Sequence, residues 1–489
     1  MFKTLTLAIT AALIALVIIV VARTMMLSPA VKVAEGTLAN SSVYSAEAIA
    51  ERLSRAVQIK TISWGNRTHD NQAFADFSSF LQDNYPTAHT AMSREVVNGK
   101  SLLYRWKGTD PDSKPIGFIA HIDVVPVEAG TEKGWTRPPY SGARQDGAVW
   151  GRGTLDNKGQ LITLMEAVEH LATAGFQPTR DIYLMFGHDE EVGGFDGAGT
   201  IADVLKQRGV HFAWTLDEGS ALTKGIIPGF AQPLALISIA EKGSTTLRLT
   251  ANAPGGHSAT PGHDTAVSIA ARAVVSISDN PYPLVLDQSM VAFLHAIATE
   301  MPFVQRMVLA NLWLTGPMVK KQLAGKRVTA AALHTTTAPT IIRGGTKVNI
   351  LPQSTIAMIN YRIHPRDNAA AIKTRAEAII NDARITIEVV GAREPTAQSS
   401  TRSQGYHDIE QSITAVFGSI PVAPFLTLQG TDSRHYTTLA DDNYRFAPFI
   451  YRSRDLSRIH GTDERTFVAD LPRAAAFYEA LIRAASDTR

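Results

Sequence analysis

Glu190 and Glu191 stand side by side in GHDEEVGG, residues 187–194. Two adjacent carboxylates repel, so each needs its own use. One can be neutralised by a cation while its neighbour, raised in pKa, moves protons. An isolated acidic pair is ordinarily a solvated turn, but this one has company. His121 and Asp123 form an HxD pair, Asp156 lies in WGRGTLDNKG (150–159), Asp217 in LDEG, and His460 in RIHGTDE. Two imidazoles and three carboxylates, His121, His460, Asp156, Glu191 and Asp217, suit borderline metals such as zinc, cobalt or manganese. Their number suits two ions: Asp156 bridging, His121 and Asp217 on one, Glu191 and His460 on the other. Positions left open for water mark such a site as catalytic rather than structural. Asp123 shares a face with His121 in extended chain and can orient its imidazole.

The elements that must position these groups are legible in the hydrophobic pattern. The runs 115–120, 181–187 and 211–216 are short and apolar, and predict strands. His121, the glutamates and Asp217 follow at their carboxyl ends, where open α/β sheets place their sites. Helical spacing over 45–59, 70–84, 157–174 and about 197–208, alternating with strands, predicts a mostly parallel sheet in a catalytic domain. Near residue 241 the character changes. An alternating strand (244–251), the tight polar loop 254–260 carrying His257, a helix (264–278), two strands within 347–364, a helix (367–382) and a strand (385–390) read as an inserted antiparallel α+β domain. Asn349 and Arg362 fall on its adjacent strands 347–351 and 355–363, on the face expected to close over the cleft. Within this insert, 284–338 is an apolar helical excursion that needs cover. The sheet pattern returns with the polar loop at 430–435, which holds Arg434, a strand at 446–451 and a last helix near 470–485.

A chain of 489 residues exceeds one ordinary core, so two or more domains are expected. At 45% hydrophobic and 19% charged residues the composition is globular; net charge is +2 and there is no basic tract, which argues against nucleic acid as a partner. With no cysteine, disulfides, thiolate metal sites and a cysteine nucleophile are excluded. Residues 4–22 carry no charge, lie between Lys3 and Arg23, and are long enough to cross a bilayer. With no convincing small-x-small cleavage site after them, they read as an uncleaved anchor rather than a cleaved signal. The resulting division is a membrane anchor (1–24), a tether (25–44), a first catalytic part (45–240), the inserted lid and dimerisation domain (241–395) and a second catalytic part (396–489). The expected location is a single-pass membrane protein with its catalytic domain on the non-cytoplasmic side.

Rival chemistries fit less well. The P-loop spacing is missing at 150–159, and Asp156 would face the phosphates. A serine hydrolase using Ser258 has Thr260 where the nucleophile elbow wants glycine. A non-catalytic binding protein would be expected to have lost ligands or Glu190.

HIDVVP, GRGTLDNKG, GHDEEVGG, LDEG, GGHSATPG, VNILPQ, GTDSRHY and RIHGTDE, in this order, closely resemble the dizinc amidohydrolase family of carboxypeptidase S and aminoacylase. The resemblance is strongest to the carboxypeptidase S / N-fatty-acyl-amino-acid synthase/hydrolase branch, and runs from about residue 45 to the C-terminus. It implies two Zn2+ on the five residues above, with Co2+ or Mn2+ as substitutes. It further implies Glu190 as general base, Asp123 as the partner of His121, His257 as an oxyanion donor, and Arg362 or Arg434 near a substrate carboxylate. Attack would come from a metal-bridging water, its pKa lowered from about 15.7 toward ~7. The substrate implied is an N-acyl amino acid, fatty-acyl chains included, or a peptide with a free C-terminal carboxylate. A homodimer with His257 acting across it is also implied.

Overall fold

In the computed structural model, residues 2–27, 41–226, 230 and 232–486 are described; most of the tether 25–44 lies outside them. Eight strands form the larger sheet. Their order is Ser93–Val97, Ser101–Trp106, Ile182–Gly187, Ile116–His121, Phe212–Lys224, Ala440–Arg452, Pro233–Glu241 and Val422–Thr427. Ile116–His121 and Ile182–Gly187 are buried at every residue, as strands covered on both faces must be. Successive side chains alternate between the two layers. Phe118, Ala120, Leu184 and Phe186 join the core under the helices Ala46–Gln58, Lys158–Thr173 and Leu471–Ser486. Ile119, Tyr183 and Met185 join the other core, under the helix Ala198–Gln207.

The expectation of a mostly parallel sheet needs correction: the sheet is mixed. Its centre is parallel, from Ile182–Gly187 through Ile116–His121 and Phe212–Lys224 to Ala440–Arg452. Antiparallel pairs flank it, since short connections cannot join parallel neighbours, while the outermost strand Val422–Thr427 runs parallel to Pro233–Glu241. Ser93–Val97 turns into Ser101–Trp106, which pairs antiparallel with Ile182–Gly187. Phe212–Lys224 pairs antiparallel with Pro233–Glu241 at Leu222 and Ala235. The parallel centre is the part that matters for chemistry. His121 is level with Gly187, and Phe118 with Leu216, so two strand ends and the middle of the longer strand Phe212–Lys224 lie along one edge.

A second sheet is wholly antiparallel, in the order Thr336–Gly344, Ser354–Ile363, Gly243–Asn252, Ile385–Arg393. Burial alternates along Gly243–Asn252 and Ser354–Ile363, so one face is covered, by the helices Ala266–Ser278 and Ala369–Ile380. The apolar excursion finds its cover elsewhere. Met290, Phe293, Leu294 and Ile297 of the helix Gln288–Ala298 pack with Leu234, Leu236 and Ala423 on the outermost strands of the large sheet. Phe293 meets Phe425 with ring centroids 5.9 Å apart. An edge strand is thereby capped by a helix instead of being left open.

The N-terminal helix, Phe2–Met26, is long and apolar enough to cross a membrane, and is exposed along nearly its whole length.

Candidate metal centre

His121 ends its strand with a side chain 1% exposed. Its Nδ1 lies 2.9 Å from the Asp123 carbonyl oxygen and 3.3 Å from Asp123 Oδ1. The Asp123 carboxylate also accepts the backbone N–H groups of Glu190 (3.1 Å) and Glu191 (3.2 Å). Asp123 thus ties the imidazole to the glutamate turn. Burial works against its ionisation, yet its hydrogen bond to His121 holds it below the usual carboxylate range.

The other nitrogen of His121, Nε2, is 2.9 Å from Asp156 Oδ1 and 3.2 Å from Glu218 Oε1. The second oxygen of Asp156 is 3.1 Å from His460 Nε2, which is itself 3.0 Å from Glu191 Oε2. Asp156 therefore stands between the two imidazoles and offers one oxygen to each. His121, Glu190 and Glu218 also bring one donor atom each within 4.8 Å of one another, as do His121, Asp156 and Glu191. Hydrogen bonds to Asp156 and Glu191 push the His460 imidazole up to about 10. Burial, then the charge of Asp156, pushes the Glu191 carboxyl up to about 7. Burial raises Glu190 well above the ordinary value, with Asp432, Glu191 and Glu218 adding to it and His121 opposing.

Glu464 builds the loop that presents Asp156. Its Oε1 accepts the backbone N–H groups of Gly153 (3.0 Å), Leu155 (2.9 Å) and Asp156 (3.2 Å). Its Oε2 takes Arg152 Nη1 at 2.7 Å, in an ion pair buried on both sides. The glycines around the glutamate pair answer to Asp432. A Cβ on Gly187 or Gly194 would run into its carboxylate, which is buried with neither oxygen hydrogen-bonded among the described residues. His460 adopts a left-handed backbone, φ +61°, uncommon for a residue with a Cβ.

Asp217 and Glu218 are neighbours in one strand and so face opposite sides. The Asp217 carboxylate is turned to Ser433 N–H (2.7 Å) and Glu218 N–H (2.8 Å), away from the imidazoles. Glu218 takes the place beside His121, and Asn157 Nδ2 donates to its other oxygen at 2.7 Å. The sequence reading put Asp217 with His121 on one ion; the carboxylate that stands beside His121 in the structure is that of Glu218. The LDEG motif offered both carboxylates, and strand alternation could have shown that only one can face the site.

The remaining candidates lie around this cluster. Arg434 donates to the Gly193 carbonyl at 2.8 Å, bracing the turn that follows Glu191. Arg393, which the sequence reading missed, packs beside Gly193 and over Phe195, 5.4 Å from the ring centroid. Burial, then Arg434, holds its guanidinium below the ordinary range, with Arg362 and Arg67 adding and Glu190 opposing. Arg362 is exposed on Ser354–Ile363, between Ser244 and Thr336, and no ion pair engages it among the described residues. His257 and Asn349 share one small loop. Gly256–His257 pairs with Ile350–Leu351, and Ser258 N–H donates to the Asn349 carbonyl at 3.1 Å. His257 is exposed, and among the described residues no hydrogen bond joins it to the carboxylate cluster.

The donor set fits dications. Four carboxylates, Asp156, Glu190, Glu191 and Glu218, surround two imidazoles in a largely buried space, an excess of negative charge that needs cations. Carboxylates and imidazoles converging on the carboxyl edge of an α/β sheet define a metal-dependent hydrolase. The chain belongs to peptidase family M20/M25/M40, whose model matches residues 117–484, and is an enzyme of that hydrolase family. It is 38% identical over 427 residues to the N-fatty-acyl-amino acid synthase/hydrolase PM20D1 of Bos taurus, covering 86% of this chain and 84% of that one. To carboxypeptidase S of Saccharomyces cerevisiae it is 28% identical, covering 93% and 87% respectively. The M20 family metallo-carboxypeptidase Sso-CP2 of Sulfolobus solfataricus shares its fold, with TM-score 0.64 at 16% identity over 89% of this chain and 98% of that one. Human carnosine dipeptidase 1 does so with TM-score 0.61 at 15% identity, over 91% and 97%.

Proposed function

We propose that the chain is a two-metal amidohydrolase that cleaves N-acyl amino acids, fatty-acyl ones among them, or the C-terminal bond of peptides. The observation that carries this reading is the position of Asp156, one oxygen on His121 and the other on His460. His121, Asp156 and Glu218 would hold one Zn2+, and Asp156, Glu191 and His460 the other. That the buried Asp217 carboxylate is occupied by the Ser433 and Glu218 backbone N–H groups supports Glu218 over Asp217. Bound metal would supply Lewis acidity at the scissile carbonyl and a lowered pKa for the attacking water. Glu190 takes the proton from that water and delivers it to the departing amine nitrogen. Asp123 holds the His121 ring so that Nε2 faces inward. His257 donates to the carbonyl oxygen as negative charge develops there. Because His257 sits on the loop of the second sheet, it must arrive by closure of that unit or from a partner subunit. A homodimer, implied by the resemblance, would serve the second route.

The substrate's α-carboxylate pairs with Arg362, beside Asn349. A guanidinium offers a carboxylate two parallel hydrogen bonds, which lysine cannot copy. The absence of an ion-pair partner for Arg362 among the described residues supports its availability. The test compares an N-acyl amino acid with its C-terminal amide on wild type and on Arg362→Ala. Wild type should strongly prefer the acid, and the variant should lose roughly 2–5 kcal/mol of that discrimination. If the variant keeps the preference, the anchor is Arg434 or Arg393. We also read the N-terminal helix as an uncleaved single-pass anchor, with the catalytic part on the non-cytoplasmic side. The hydrogen bonds that the Asn311 side chain donates to the Val20 carbonyl and Thr24 Oγ1 of this helix support an anchor that is retained.

A further inference from the structure

The N-terminal helix does not stand apart from the enzyme. Near its C-terminal end, Asn311 Nδ2 donates to the Val20 carbonyl at 3.2 Å and lies 3.3 Å from Thr24 Oγ1. Thr24 is fully buried by this docking, and the helix Phe303–Ala310 also packs on the N-terminal helix. The uncharged stretch ends at residue 22. At 1.5 Å of rise per residue, Asn311 touches the helix within about 5 Å of where that stretch ends. If the helix crosses a bilayer of about 30 Å hydrocarbon thickness, Asn311 and its neighbours sit at the membrane boundary.

The neighbours suit that depth. Trp313 donates its indole N–H to Asn311 Oδ1 at 3.2 Å and leaves 55% of its surface exposed. Phe303, Val304 and Leu314 are about as exposed, on the same pair of helices, Phe303–Ala310 and Leu312–Ala324. An indole with an apolar body and an anchored polar edge is a membrane-interface residue. Charge points the same way. Between residues 301 and 332 there is no Asp or Glu, while Arg306, Lys320, Lys321, Lys326 and Arg327 are present.

Resting on the anchor reading, we propose that these two helices are a second, monotopic membrane contact. Phe303, Val304, Trp313 and Leu314 lie at the acyl boundary, with the basic residues beside anionic headgroups. Of the occupants this apolar face could take, a bilayer is favoured because the face is continuous with a helix of membrane-spanning length.

The chain has no cysteine, so each introduced one is unique. Spin labels at Leu13→Cys, Phe303→Cys, Leu314→Cys and Val96→Cys would be placed on the full-length, metal-loaded chain in phosphatidylcholine/phosphatidylglycerol vesicles. Val96 is exposed on the opposite edge of the large sheet and serves as the aqueous reference. Power saturation with oxygen and with a neutral nickel chelate reads where each label sits. Labels at 303 and 314 should match position 13, oxygen-rich and shielded from nickel, while 96 is the reverse. If 13 is lipid-exposed but 303 and 314 behave like 96, the proposal fails and the anchor stands. If 13 is itself aqueous, or is missing from the mature chain, the anchor reading fails and takes the proposal with it. Labels at 303 and 314 that are shielded from both reagents and broadened by spin–spin coupling would show a second copy of the chain on this face, which also overturns the proposal.

Discussion

Glu190→Gln is expected to lower turnover by a factor on the order of 10²–10⁴ while leaving the metal content at the wild-type level. The two parts of this result have different causes. Glutamine keeps the shape of the side chain and one acceptor oxygen but cannot take up a proton at neutral pH. Asp156, both imidazoles, Glu191 and Glu218 are untouched, so the two proposed metals would keep their holders. The pairing of Glu190 with Glu191 makes the experiment selective, because only one of them reaches His460. Glu191→Gln should therefore do the opposite in part, weakening metal retention at the His460 position. Metal analysis beside steady-state kinetics on the two variants separates the roles. Near-wild-type turnover in Glu190→Gln would move the general base elsewhere.

Glu464→Ala is expected to be among the most damaging single changes outside the cluster. The side chain is fully buried and holds Arg152, also buried, at 2.7 Å. Removing one partner of such a pair leaves an uncompensated charge and costs about 3–5 kcal/mol. Three backbone N–H groups, of Gly153, Leu155 and Asp156, lose their acceptor as well. Because that loop presents Asp156, thermal stability and metal retention should fall together. The exposed pair of Arg144 and Glu51, at 2.9 Å, is the control. Glu51→Ala should change stability by about 0–1 kcal/mol, as solvent-exposed pairs do. Equal effects of the two substitutions would show that the loop does not depend on its buried pair.

How much of this was legible in the sequence depended on the range of each interaction. The central strands announced themselves because Ile116–His121 and Ile182–Gly187 are buried on both faces and read as unbroken apolar runs. The antiparallel hairpin Ser93–Val97/Ser101–Trp106 went unread, although its turn carries Asn98-Gly99, both at positive φ, the usual signature of a tight hairpin. Missing that hairpin, together with the antiparallel return of Pro233–Glu241, led to the expectation of a mostly parallel sheet. The helix expected over 367–382 begins at Ala369 with Asn368 as its cap, because the Asp367 side chain is taken up by Thr335. At the site, residue types and order were visible, and alternation allowed only one of Asp217 and Glu218 to face inward, but which one depends on the fold, and Glu218 is the one that stands beside His121. Glu464 was invisible as a builder of the Asp156 loop because its partners lie far earlier in the chain. Arg393 ends an exposed strand, and only the fold of the second sheet brings it to Gly193.

Metal stoichiometry measured beside activity tests the two-metal reading most directly. The purified full-length chain would be stripped by chelation, then titrated with Zn2+ while hydrolysis of an N-acyl amino acid is followed. Stripped protein should be inactive. Activity should return in step with binding and reach its maximum at two equivalents per chain, and the Asp156→Ala variant should bind neither ion tightly. Full hydrolysis in the stripped protein, or a maximum reached and held at one equivalent, would contradict it.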